Sequence, residues 1–281
     1  MYIKFWGTRG SIATPGPETV IYGGNTSCVE VVSTRGQRLV IDAGTGIRAL
    51  GDELVQSGQP VTITLLLTHT HWDHILGMAF FKPVYLDSTV INIDGCPKAF
   101  WGVANVFDDR KGNGYFPVAF DELKANIRHV ERLPAGTMRV GDLTIDGIET
   151  NHPQGGMGFR IREDDRCFVF LTDNELTNEA PIGKQPADYA HFAWGCDLLI
   201  HDAQYLPEEI ANHRGWGHST YVDAVELALL AKVPRLILYH HDPSRSDREI
   251  QEIEARARQL VKSRKSNLKV SAAREGEVIL L

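Results

Sequence analysis

Residues 67–77 read Leu67-Thr68-His69-Thr70-His71-Trp72-Asp73-His74-Ile75-Leu76-Gly77, or LTHTHWDHILG. The apolar run that precedes them, TITLLL over residues 62–67, has the β-branched and leucine content of a buried strand. That strand runs out into His69, His71, Asp73 and His74, four potential metal donors within six positions, before a helix begins. Three imidazoles and a carboxylate at a strand end make a poor core, because each ring would need its own hydrogen-bond partner once buried. The same donors suit zinc, manganese or iron better than calcium or magnesium, which prefer all-oxygen sites.

Outward from this point the chain repeats one theme. IKFWG, SCVEVVS and RLVIDAG come before it. LTIDGIETNH, GMGFRIRED, CFVFLTD, DLLIHDA and RLILYHH come after it, in a second series resembling the first. Each reads as a strand bounded by glycine and polar residues. A helix is expected from about Thr220 to Lys232, N-capped by Ser219 or Thr220 and stopped at Val233-Pro234, and a second, charged one from about Asp247 to Lys265. Strand layers with helices outside them make an α/β sandwich. Between about residues 95 and 133 the rhythm weakens, and Phe100, Trp101, Phe107, Tyr115, Phe116 and Phe120 gather among glycines and charges. This stretch reads as an insertion, either a satellite core or a lid over a site.

With 281 residues, 43% of them hydrophobic, the chain has material for a sizeable core. A net charge of -7 without a dense basic run argues against the large basic surface that gripping a long nucleic-acid backbone requires, although charge can still be locally segregated. The absence of a long apolar span or an export leader points to the cytoplasm and away from a membrane. Cys28, Cys96, Cys167 and Cys196 are widely spaced and read as buried small hydrophobes, not as a disulfide framework or a thiolate metal site.

The string HTHWDH resembles the His-x-His-x-Asp-His signature of the metallo-β-lactamase superfamily. That resemblance covers roughly residues 1–245 and implies a four-layer αββα sandwich forming a single domain over 1–281, with the insertion or lid at about 95–133. It also implies a binuclear centre of two divalent ions, zinc first and manganese or iron next. His69, His71 and His152 would bind the first metal, Asp73, His74 and His240 the second, and Asp173 would bridge them; His241, next to His240, competes for the last place. Asp42, in VIDAGTG, would support the ligands from behind. Aspartate at 173 in place of a cysteine argues against a true β-lactamase, and His71 in place of a glutamate argues against the oxygen-reducing branch.

LLIHDAQY followed by GWGHSTYVDAVELA resembles the phosphodiesterase branch, which includes tRNase Z and the cyclic phosphodiesterases. There Asp202 would orient His218, and a carboxylate on one imidazole nitrogen leaves the other to give a proton to a departing alkoxide. With Asp73 among the metal-holding groups, the implied activity is hydrolysis of a small, nucleotide-type phosphodiester, linear or cyclic, by a metal-bridging hydroxide. The alternatives are a tRNA 3′-end endonuclease, a thioester or lactone hydrolase, and last a non-catalytic metal-stabilised sensor. The expected partner is a small anionic diester, ahead of tRNA, and the resemblance also suggests a homodimer. FWGTRGS is the family's usual opening; Arg9 within it would meet either a phosphate or, in preference, a structural carboxylate. His201 is left unassigned, and His129, His191 and His213 read as ordinary histidines.

Overall fold

In the strand Arg166–Leu171 the side chains of Phe168 and Phe170 enter one apolar cluster while Val169 and Leu171 enter another. Strict alternation sends successive side chains to opposite faces, so this strand is covered on both sides and reads as an unbroken apolar run. The two strands that follow it in the sheet divide in the same way. Leu198, Ile200, Ile237 and Tyr239 face the shared core, and Leu199, Leu236 and Leu238 face a helix layer. Each phenylalanine so buried stabilises the fold by about 1.5 to 3 kcal/mol.

The computed structural model describes residues 1–107, 116–177 and 183–281. Its first half builds β1 (Tyr2–Gly7), β2 (Cys28–Val32), β3 (Arg38–Ile41), α1 (Ile47–Gln56), β4 (Val61–Leu67), α2 (Trp72–Ile75), β5 (Thr89–Gly95), α3 (Ala99–Ala104) and β6 (Asn126–His129). The second half builds β7 (Met138–Val140), β8 (Leu143–Glu149), β9 (Met157–Glu163), β10 (Arg166–Leu171), α4 (Pro186–Ala193), β11 (Leu198–Asp202), α5 (Tyr221–Leu230), β12 (Arg235–Tyr239), α6 (Asp247–Ser263), β13 (Lys269–Ala272) and β14 (Val278–Leu280).

Two seven-stranded sheets result, ordered β14-β1-β2-β3-β4-β5-β6 and β13-β12-β11-β10-β9-β8-β7. Strands β3 to β6 are parallel, as are β10 to β13, and the remaining pairings are antiparallel. The last strand returns to the first sheet, pairing Leu280 with Tyr2. Ile47, Leu50 and Leu54 seat α1 on the core, while α4, α5 and α6 cover the far face of the second sheet. This is the expected sandwich. No helix among the described residues is long and apolar enough to cross a membrane.

In the aromatic insertion Phe100 lies against Trp101 and Phe120, and Phe107 against Phe116 and Phe120, with ring centroids 5.4 to 6.0 Å apart. Phe107 joins the main core and Phe100, Phe116 and Phe120 pack on it, whereas Trp101 is largely exposed. Tyr115 lies outside the described residues. All four cysteines are buried, and Cys167 and Cys196, 29 residues apart in the chain, bring their Sγ atoms within 2.6 Å.

Candidate metal centre

The parallel strands of both sheets end at one edge of the sandwich, where ligand sites of open α/β sheets form. Asp42 follows β3, His69 follows β4, His152 follows β8, Asp173 follows β10, Asp202 ends β11 and His240 follows β12. Asp42, Asp173 and His240 each adopt a left-handed backbone, with φ of 62°, 51° and 60°. Non-glycine residues reach this region at a cost of about 1 to 3 kcal/mol each, and such strain concentrates at functional sites. The close approach also dictates a glycine. A Cβ on Gly10 would sit 2.4 Å from the ring of His240.

The structure brings together all seven residues expected to bind metal. His69, His71 and His152 form one group whose donor atoms lie within 4.8 Å of one another; His69, His74 and Asp173 form a second, and Asp73, His74 and His240 a third. Asp173 stands between them. One of its oxygens is 3.6 Å from Nε2 of both His69 and His152, and the other is 3.3 Å from Nε2 of both His74 and His240. Asp73 lies 3.2 and 3.3 Å from the same nitrogens of His74 and His240. His240, not His241, faces the cluster: His241 donates from Nε2 to the Ala273 carbonyl, and burial pushes its pKa down to about 3.

Polar groups around the cluster hold three of the rings. Asp42 lies 2.7 Å from Nδ1 of His74 and accepts from Thr68 and Ser27. Gln204 Oε1 lies 2.9 Å from Nδ1 of His240, and Gln154 Oε1 lies 2.7 Å from Nε2 of His71. Gln204 and Gln154 escaped the sequence reading. Their only signal was a polar residue close to a ligand strand, which is common elsewhere in the chain.

Burial would favour the neutral acids, yet the surrounding histidines hold Asp73 and Asp173 well below the usual carboxylate range. Burial likewise opposes a charge on His74, but Asp73, Asp173 and Asp42 raise its pKa well above the ordinary value. Burial, followed by the neighbouring His74, lowers His69, and burial takes His152 down to about 4. The centre therefore offers ionised carboxylates beside two imidazoles, His69 and His152, that burial keeps neutral. Nε2 of His69 and of His74 are buried without a hydrogen-bond partner, a state that costs about 1 to 3 kcal/mol per group unless something else meets the atom. Nitrogen and carboxylate donors converging on unpartnered buried atoms fit divalent metal ions.

Asp202 and His218 meet beside this centre, 2.8 Å apart through Nδ1 of the ring. Burial works against protonation of His218, but the Asp202 carboxylate pushes its pKa up to about 9. The ring stacks on His240 with centroids 5.0 Å apart. The loop before it is held by Glu175, fully buried, which accepts from the backbone N–H of Gly215 and Gly217. A Cβ on Gly217 would come within 2.2 Å of the His152 ring.

Arg9 makes no close ion pair with a carboxylate among the described residues: fully buried, it donates to the carbonyls of Gly23, Asp242 and Arg245. His201 is a core residue between the Asp202 carbonyl and Asn174. His129 stacks on Phe100, His213 stacks on Tyr205, and His191 is exposed on α4.

Comparison with known proteins agrees with this geometry. Residues 37–241 match the family described as the beta-lactamase superfamily domain. The chain is 26% identical over 229 residues to a ribonuclease Z of Shouchella clausii, covering 63% of this chain and 68% of that one. Among solved structures it resembles the metallo-beta-lactamase fold protein YhfI from Bacillus subtilis, with a TM-score of 0.69, 18% identity, and 99% and 98% of the two chains covered. It also resembles human tRNase Z, short form, with a TM-score of 0.63, 18% identity, and 100% and 99% covered. The family match takes in most of the chain and every candidate metal-binding residue, and on that ground the protein belongs to the beta-lactamase superfamily.

Proposed function

We propose that this metal-dependent hydrolase cleaves phosphodiesters of nucleotide size. The observation that carries the reading is the Asp202–His218 pair, 2.8 Å apart and in contact with the candidate metal ligands. A phosphodiester expels an alkoxide, which needs a proton as the bond breaks; a thioester expels a thiolate, which is stable near neutral pH without one. A buried imidazole held protonated by a carboxylate serves the first reaction and is superfluous to the second.

His69, His71, His152, Asp73, His74, His240 and Asp173 would hold the ions, and their nitrogen and oxygen donors favour zinc, then manganese or iron. Bound there, the ions supply charge neutralisation at the phosphoryl oxygens and a lowered pKa for the attacking water. Asp42 and Gln204 keep the rings of His74 and His240 in the orientation that turns Nε2 inward. Asp202 holds Nδ1 of His218, so that the proton on Nε2 is the one available to the leaving group. In the balanced step the water gives up one proton as its oxygen bonds to phosphorus, the ester P–O bond breaks, the departing oxygen takes the proton from His218, and the proton that the water released restores His218. A monoester and an alcohol remain.

The net charge of -7 supports a small substrate over a large polyanion. RNA 3′-end cleavage is the second reading, favoured by relatives named ribonuclease Z. The deciding experiment offers the zinc- or manganese-loaded protein bis(p-nitrophenyl) phosphate, a thioester, a lactone and a tRNA precursor with a 3′ trailer. Turnover of the diester with little action on the precursor is expected. Efficient precursor cleavage would move the assignment to RNA processing, and turnover of the thioester alone would end the phosphodiester reading.

A further inference from the structure

A cleft of about 480 Å³ opens beside the centre, with His69 and His71 in its lining and His218 outside it. That volume lies within the range of small-ligand pockets, about 300 to 1,000 Å³. The cleft is much larger than attacking water and a phosphoryl group require.

Its lining is specific in character. Pro97, Leu133, Pro134 and Met157 supply apolar walls, and Gly147, Gly155, Gly156 and Gly183 leave bare backbone between them. Flat apolar surfaces beside exposed peptide edges suit a planar ring that also makes hydrogen bonds. Lys98 and Glu149 stand in the same lining as one cation and one anion. A second phosphate would call for cations in excess, so a balanced pair fits a neutral polar group. Thr150 adds an independent sign: it lines the cleft, is buried, and its Oγ1 has no hydrogen-bond partner.

From these features we infer that the cleft is a nucleobase subsite, and that the substrate is a nucleoside diester whose base lies along Pro97, Pro134 and Met157 while its phosphate faces the ions that the histidines and aspartates of the centre would hold. The inference rests on the phosphodiester reading above and names the part of the substrate that does not react. The base-bearing side is retained on the His71 flank, and the opposite side departs towards His218.

The test uses two diesters with one leaving group, p-nitrophenyl thymidine 5′-phosphate and methyl p-nitrophenyl phosphate, on the metal-loaded protein. Glu149→Trp, a change at an exposed position in the lining that is not itself a metal-binding residue, narrows the cleft. Base stacking of ordinary strength predicts that wild type prefers the thymidine diester by about tenfold or more in kcat/KM. The variant should lose that preference through KM, with turnover of the methyl diester changed less than about twofold. Equal effects on both substrates, or no preference in wild type, would overturn the subsite. Calorimetric binding of thymidine 5′-monophosphate against ribose 5-phosphate separates the two readings. Base-dependent binding that Glu149→Trp abolishes, without turnover of either diester, would retire the phosphodiester reading and leave the subsite standing. Equal binding of the two monophosphates to wild type would remove the subsite whatever the turnover.

Discussion

At the scale of single residues, His218 carries the most specific consequence. It sits within hydrogen-bond reach of Asp202, and although its donor atom also lies near His152 and Asp173 and near His240, it is not in the groups that His69 and His74 form through their unpartnered nitrogens. His218→Ala should therefore keep its full metal content while kcat on an alkyl phosphodiester falls by about 10² to 10⁴, the usual worth of a positioned proton donor. Elemental analysis alongside steady-state kinetics checks this, and loss of metal or unchanged turnover would refute the role. Asp42 should behave oppositely, because it acts through His74. Asp42→Asn is expected to weaken metal binding by about 10- to 100-fold, the typical cost of removing an orienting partner behind a ligand, as measured by chelator competition. Much of this residue pattern was readable in the chain, since His69, His71, Asp73 and His74 are contiguous and the remaining donors each follow an apolar run. Whether His240 or His241 turns inward was not readable. That choice depends on a left-handed backbone at 240 and on the Ala273 carbonyl, which lies 32 residues away.

Among the elements, α6 illustrates how far local chemistry specifies an end. Ser246 accepts from the N–H of Glu249, and Glu249 accepts from the N–H and hydroxyl of Ser246, a reciprocal capping box. These bonds to Ser246 hold the Glu249 carboxyl below its usual pKa. A depressed folded-state pKa means that the box contributes stability in full above the unfolded value, near about pH 4.3, and loses it as pH falls through the folded value. Ser246→Ala should cost about 1 kcal/mol in urea unfolding at pH 7. The gap between wild type and Glu249→Gln should close by pH 3; a gap that persists there would show that the carboxylate is not what matters. Sequence reading placed this helix and α5 to within about two residues because their caps are local. It could not choose between core and lid for the aromatic insertion, because pairs such as Phe80 with Phe116 and Phe100 with His129 join residues far apart in the chain.

On the scale of the whole molecule, the centre lies on a seam. The first sheet and its loops contribute Asp42, His69, His71, Asp73 and His74, while the second contributes His152, Asp173, Asp202 and His240. Arg9 stitches the same seam by joining the N-terminal loop at Gly23 to the loop after β12 at Asp242 and Arg245. Asp247 does so as well, by accepting from the N–H groups of Ile21 and Tyr22. Ions held between the halves bind the folded chain and have no comparable site once the halves separate, so removing them must lower stability as well as activity. Ions present at a hundredfold excess over their dissociation constant stabilise by about 2.7 kcal/mol. For a chain of 281 residues that corresponds to a fall in Tm of roughly 4 to 5 °C on chelation. Scanning calorimetry with and without a chelator, on wild type and on Asp173→Asn, tests the account. Wild type should lose several degrees and regain them with zinc, whereas the variant should respond much less, having lost the carboxylate that stands between both groups of histidines. An equal response from the two proteins would place the stabilising ion somewhere other than this seam.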